Sequence, residues 1–232
     1  MDRTVFFDRV RAKLAGGKLT TGQVQGFFAL MDSWTGSGFR QLAYVLATAW
    51  HETAATMHPV TEYGGKKYFT KYDTGKLAAN LGNTPQADGD GYLYRGRGYV
   101  QITGARNYRL ATSRLGVDLV GSPDKALDPA IAAKIIIRGM IEGWFTGKKL
   151  SDYIGAKVDY KGARRIVNGT DKAALIAGYA DTIEAALRAA GADKPAPAKP
   201  EIIVMQPASP QPARNPIAAF FAALFGWLNV DK

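Results

Sequence analysis

Apolar residues recur at intervals of three and four through much of the chain, and each such run predicts an amphipathic helix. The runs fall at 4–14, 21–33, 39–56, 105–115, 129–145, 160–167 and 171–190. The run at 39–56 is the best defined. Phe39, Leu42, Leu46, Ala49 and Trp50 form one stripe, and at about 100° per residue Glu52 falls on the shoulder of that stripe, near the helix end. In the last run Leu175, Tyr179, Ile183 and Leu187 share a face, with Asp171 in the first turn, where a negative charge suits the helix dipole. A mainly helical domain over residues 1–190 is expected.

The pattern breaks between Glu62 and Gly98. Gly64, Gly65, Gly75, Gly82, Gly89, Gly91, Gly96 and Gly98 interrupt any long helix, and Tyr63, Tyr68, Phe69, Tyr72, Tyr92 and Tyr94 are interleaved with polar residues. This predicts a glycine-rich loop or small hairpin. Its rings either pin the loop or line a carbohydrate groove, since a flat ring packs on the apolar face of a sugar. Beyond residue 190 prolines crowd together, as in Lys194-Pro195-Ala196-Pro197, so 191–214 reads as an extended linker. Asn215-Pro216 then opens a short apolar helix over 215–232. Its stripe at 217–228 is too short to span a bilayer, and suits either a membrane interface or docking onto protein.

Composition narrows the chemistry. The chain has no cysteine, which excludes a thiolate zinc site and a cysteine nucleophile. A net charge of +10 predicts attraction to a polyanion. The basic residues are spread along the chain, apart from pairs such as Lys66-Lys67 and Arg164-Arg165, and they belong to no recognisable nucleic-acid module. The segment from Met1 lacks the basic start and continuous apolar run of a secretory signal, so synthesis in the cytoplasm is expected. A monomer without cofactor is expected.

Glu52 and Glu62 are the paired carboxylates beside a plausible groove. Hydrolysis of a glycosidic bond requires a protonated acid for the leaving oxygen and a second carboxylate to activate water or attack carbon. A helix-end glutamate beside Trp50 is open to having its pKa raised by desolvation, whereas Glu62 lies in a polar loop. Two glutamates ten residues apart are commonplace, and on their own read as surface charge. His51 and His58 near Glu52 lack the His-Glu-x-x-His spacing and a third neutral ligand, so no metal is expected.

Three separated segments carry more weight when taken together. They are Ala49-Trp50-His51-Glu52-Thr53, then Tyr94-Arg95-Gly96-Arg97-Gly98-Tyr99-Val100-Gln101-Ile102-Thr103, then Ile166-Val167-Asn168-Gly169. Their order and spacing over residues 38–190 resemble glycoside hydrolase family 19, the chitinase family that also contains many phage endolysins. The resemblance implies a lysozyme-like, two-lobed helical fold with the glycine-rich region beside the cleft, and an inverting mechanism. By the family pattern Glu52 matches the general acid, Glu62 the general base and Thr103 the residue holding the attacking water. Gln101 and Asn168 match sugar-contacting positions, and Tyr94, Arg97 and Lys172 join them as expected substrate contacts. Lys172 stands where plant-type members carry Arg, and the chain between Asn168 and Lys172 is shorter than theirs. A cleft trimmed in this way leaves room for a substituted strand. The expected partner is therefore peptidoglycan, met in the periplasm after release during phage or prophage lysis, with chitin as the alternative and a non-catalytic saccharide-binding wall protein a further one.

Overall fold

A computed structural model describes residues 1–193. The expected linker from residue 194 onward and the apolar segment at 215–232 lie outside the described residues. The chain forms α1 (Arg3–Lys13), α2 (Thr21–Asp32), α3 (Gly38–Glu52), β1 (Val60–Thr61), α4 (Lys66–Phe69), α5 (Gly75–Leu81), α6 (Asp90–Leu93), β2 (Arg97–Gly98), α7 (Ala105–Leu115), α8 (Pro129–Glu142), α9 (Leu150–Tyr153) and α10 (Ala173–Ala189). Three 3-10 turns, Thr70–Tyr72, Pro123–Leu127 and Gly162–Ile166, join them. The architecture is mainly helical.

Local chemistry fixes several of the helix starts. The Asp2 side chain accepts from the backbone of Thr4 and Val5 at the start of α1. At α2, Thr20 and Gln23 satisfy each other's backbone N–H groups in a capping box. Asp128 caps α8 by accepting from Ala130 and Ile131, with Pro129 at the first helical position, where its missing N–H costs nothing.

The core centres on α3, which is buried almost all round from Gln41 to Trp50 rather than along one stripe. It packs against α10, α8 and α2, and so carries Glu52 on the most enclosed helix of the fold. The face of α10 turned inward is Ile176, Ala180, Ile183 and Leu187, one step round from the expected stripe, which leaves Leu175 exposed. Tyr44 of α3 stacks on Tyr160 with ring centres 5.8 Å apart. Tyr160 in turn donates to Glu184 of α10 at 2.8 Å.

The expected helix over 39–56 stops at Glu52. Beyond the Thr53 cap, Ala54, Ala55 and Met57 all adopt left-handed backbone (φ 49, 65 and 57), which no helix continues. The run at 129–145 ends at Glu142 because Gly143 turns left-handed, and the run at 160–167 is a 3-10 turn instead of an α-helix. The glycine-rich region is bounded by a two-stranded antiparallel pair, β1 with β2, and the short helices α4 to α6 lie between the strands in the chain. Phe69 is fully buried at the centre of that region, with Tyr68, Tyr72 and Tyr92 around it, so most of the interleaved rings hold the region together.

Candidate active site

Glu52 is the last residue of α3, where the axis of the enclosed helix meets the surface. Thr53 closes the helix by donating from its hydroxyl to the Ala49 carbonyl at 2.8 Å, and the same hydroxyl accepts from Met57 N–H at 3.0 Å. Met57 is fully buried against α2. A side-chain carbon at Gly26 of α2 would meet the Met57 carbonyl oxygen at 1.9 Å, so glycine is required for the turn to lie there. Gln23 donates from its amide to the Ala55 carbonyl at 2.8 Å, tying the same turn to the start of α2.

The side chain that touches Glu52 is Arg164. Its Nη1 donates to Glu52 Oε1 at 2.5 Å, while its Nε donates to the Asp171 carbonyl at 3.1 Å. The Arg164 side chain is 4% exposed and that of Glu52 18%. Trp50, the expected neighbour of Glu52, instead stacks on Phe27 with ring centres 6.0 Å apart. Arg164 carries no signal in the sequence beyond standing four residues before Asn168. Its contact with Glu52 is set by the fold and has no counterpart in the apolar periodicity.

Glu62 extends the β1–β2 pair by one residue. The register sets Val60 against Gly98 and Thr61 against Arg97, and Glu62 N–H continues it by donating to the Gly96 carbonyl at 2.8 Å. One carboxylate oxygen accepts from Gly96 N–H at 3.1 Å, and the other from the Tyr72 hydroxyl at 3.1 Å. Burial first, and the Glu62 charge second, push the Tyr72 phenol above its ordinary value, so it remains a donor. A side-chain carbon at Gly96 would stand 2.8 Å from Gln101 Oε1 and 3.1 Å from Glu62 Oε2. Glycine there is what lets those two groups converge.

Gln101 turns its amide N–H groups to the Val60 and Gly98 carbonyls, at 2.8 and 3.1 Å. Thr103 donates to the Gln101 carbonyl at 3.0 Å, and Asn107 donates to the Thr103 carbonyl at 2.8 Å. Glu62, Gln101 and Thr103 therefore gather around one short hairpin. Tyr94 and Arg97 do not join them on the surface. Tyr94 packs in the core against Tyr108. Arg97 is 2% exposed and donates to Asp124, to the Leu93 and Arg95 carbonyls and to the Tyr108 hydroxyl, which makes it an internal brace of the hairpin. Asn168 and Lys172 are exposed, at the two ends of the turn before α10.

A cavity of about 710 Å³ lies between Lys66, Asp73, Tyr92, Arg95 and Asp124, and none of Glu52, Glu62, Gln101 and Thr103 lines it. His58 packs against Gly22, and the His51 ring lies 6.5 Å from that of Tyr179.

A mainly helical domain with a glutamate at the end of its central helix and a second on a short hairpin has the organisation of a glycoside hydrolase. The family described as Chitinase class I matches residues 21–151, and the chain belongs to glycoside hydrolase family 19. A family 19 domain-containing protein of Haemophilus influenzae is 46% identical over 57 residues, which are 23% of this chain and 28% of that protein's length. Chitinase C from Streptomyces griseus shares the fold at a TM-score of 0.51 and 18% identity, over 81% of this chain and 75% of that one. The family match ends before Arg164, Asn168 and Lys172.

Proposed function

We propose that this glycoside hydrolase cleaves β-1,4 bonds of the peptidoglycan strand by inversion, with Glu52 as general acid and Glu62 as general base. The observation that supports it is that two glutamates on separate elements are each fixed by their own donors. Glu52 meets one buried guanidinium at the end of an apolar helix, while both oxygens of Glu62 accept from neutral donors, Tyr72 and Gly96. Two glutamates anchored on separate elements can divide the acid and base roles. Thr103, two residues beyond Gln101 on the same hairpin, is the hydroxyl that would hold the attacking water. Gln101 and Asn168 are the side chains assigned to the sugar.

The net charge of +10 favours an anionic wall over neutral chitin. The setting proposed with that substrate is lysis during phage or prophage release, on the periplasmic side. Chitin is the second reading, and the shared fold with a chitinase favours it.

The test is turnover of purified sacculi and of soluble chitin oligomers by the parent and by Glu52→Gln and Glu62→Gln. Each substitution keeps size but removes the acid–base function, so turnover should fall by about a hundredfold or more with folding intact by circular dichroism. Folded Glu52→Gln with parental turnover would overturn the mechanism. Turnover of chitin oligomers with inert sacculi would replace the substrate and leave the mechanism standing. Mass spectrometry of released muropeptides then identifies the bond through its reducing-end sugar.

A further inference from the structure

The non-glycine residues with left-handed backbone among those described are Ala54, Ala55, Met57, Gln101 and Lys172. The first three lie in the turn that follows Glu52. Gln101 sits beside the Gly96 that Glu62 touches. Lys172 is distant from both glutamates in sequence, yet one hydrogen bond connects its neighbour to the site. The residue before it, Asp171, offers its carbonyl to Arg164 Nε at 3.1 Å, and the same guanidinium reaches Glu52 at 2.5 Å.

Left-handed backbone is unfavourable for a lysine, and such a conformation persists only where its surroundings impose it. Here Lys172 is the N-cap of α10 with φ 56, and no side chain caps the helix there. Ala173 N–H bonds to the Thr170 carbonyl at 3.2 Å and Ile176 N–H to the Lys172 carbonyl at 3.0 Å, so the turn and the helix start are fixed on both sides. Glycine or asparagine would adopt this backbone at less cost, and the lysine side chain itself is exposed. The guanidinium of Arg164 is planar, so a contact at Nε and another at Nη1 together set its plane and its rotation. Without the Asp171 carbonyl, the arm that meets Glu52 is free to swing.

We propose that the left-handed backbone at Lys172 positions Glu52, by turning the Asp171 carbonyl onto Arg164. The inference rests on the reading of Glu52 as the general acid, and gives Lys172 a role through its backbone instead of through its ammonium group. It is a positioning residue at one remove from the reacting atoms.

The test uses the full chain carrying Lys172→Gly, Lys172→Asn, Lys172→Ala or Lys172→Val, assayed on soluble uncrosslinked peptidoglycan strands and on soluble chitin oligomers, with kinetics read on the one that the parent turns over. Activity should rank by tolerance of left-handed backbone. Glycine and asparagine should stay within about threefold of the parental kcat, alanine should fall below them, and valine should lose about tenfold or more with KM within about twofold. Thermal denaturation reports whether the valine variant folds, and if it does not, the asparagine-to-alanine order decides. Equal losses in all four with a raised KM would make the ammonium group a substrate contact and overturn the proposal. Parental kcat in all four would overturn it as well. Glu52→Gln in the same assay separates the two readings. If it is fully active, the assignment of the site falls and takes this inference with it, and if it is inactive beside a flat ranking, only the backbone role falls.

Discussion

Tyr72 donates its phenolic hydrogen to one oxygen of Glu62 at 3.1 Å, from a 3-10 turn ten residues further along the chain. The other oxygen takes a backbone N–H from Gly96. The proposed base is thereby held by two donors on two elements, and its carboxylate plane is set before any substrate arrives. Preorganised hydrogen bonds of this kind matter most when the group they hold must meet a small target such as a water molecule.

Tyr72→Phe removes only the hydroxyl. The half-buried ring keeps its packing against Phe69, so thermal stability should change little. The loss of positioning should lower kcat by about tenfold, equivalent to about 1.4 kcal/mol in the barrier, with KM nearly unchanged. Steady-state kinetics of the folded variant checks this, and a parental kcat would show that Gly96 alone suffices to hold Glu62.

The ion pair between Arg164 and Glu52 makes a different prediction. Removing one partner of an enclosed pair leaves the other without compensation. Arg164→Met should therefore destabilise the fold by about 3 kcal/mol and also abolish most activity. Adding Glu52→Gln to it should restore part of the stability and none of the activity, because the stranded charge is gone but so is the acid. Arg164→Lys keeps the charge and loses the planar two-armed contact with Asp171, so it should retain stability better than turnover. Denaturant titration of the single and double variants beside the parent gives the coupling directly, and additive losses would mean that the two residues stand independently.

The two halves of the site are unequally legible in the sequence. Glu52 is readable because the apolar periodicity of residues 39–50 makes a helix and places the glutamate near its end. The helix boundary is not, since nothing in Thr53-Ala54-Ala55 announces left-handed backbone. That conformation is imposed by Met57 seating against Gly26, a contact between residues far apart in the chain. Tyr94 and Arg97 point toward substrate only through their place in a family motif. Burial and the four acceptors around Arg97 show instead that part of the motif builds the hairpin that carries Glu62. Arg164 is invisible for the same reason as the turn: its meaning comes from a contact across 112 positions.

Gly26 tests the seat of that turn. A methyl group at Gly26 would overlap the Met57 carbonyl, which is backbone and cannot rotate away. Gly26→Ala should therefore cost about 2 kcal/mol or more in spite of alanine's better helix propensity, and should lower kcat because the displaced turn begins one residue after Glu52. A methyl group at Gly178 in α10 would meet nothing within 4 Å, so Gly178→Ala should stabilise by about 0.5–1 kcal/mol through propensity alone. The paired melting temperatures check both signs. A stabilised Gly26→Ala would mean that the turn after Glu52 moves freely.

Buried tyrosines set the alkaline limit of the fold. Burial pushes the Tyr99 and Tyr108 phenols up to about 12, the nearby Arg97 opposing it in part at Tyr108, and pushes Tyr44 and Tyr160 up as well. A raised folded value means that the native state keeps its proton after the unfolded chain, near 10, has lost it. Their contribution to stability is thus complete below about pH 10 and is lost as the pH rises toward 12 and beyond. Melting temperature should accordingly fall across that window while helical content at room temperature persists at its lower end. Tyr99 sharpens the argument, because its hydroxyl is the one buried side-chain polar atom among the described residues with no hydrogen-bond partner. Tyr99→Phe removes a group that is desolvated without compensation, and should be neutral to stabilising by up to about 1 kcal/mol at pH 7. The same variant should show a shallower alkaline loss than the parent, since one of the titrating groups is gone. A variant that melts well below the parent at pH 7 would mean that the hydroxyl is bonded after all, and a parental alkaline slope would assign the transition to the other tyrosines.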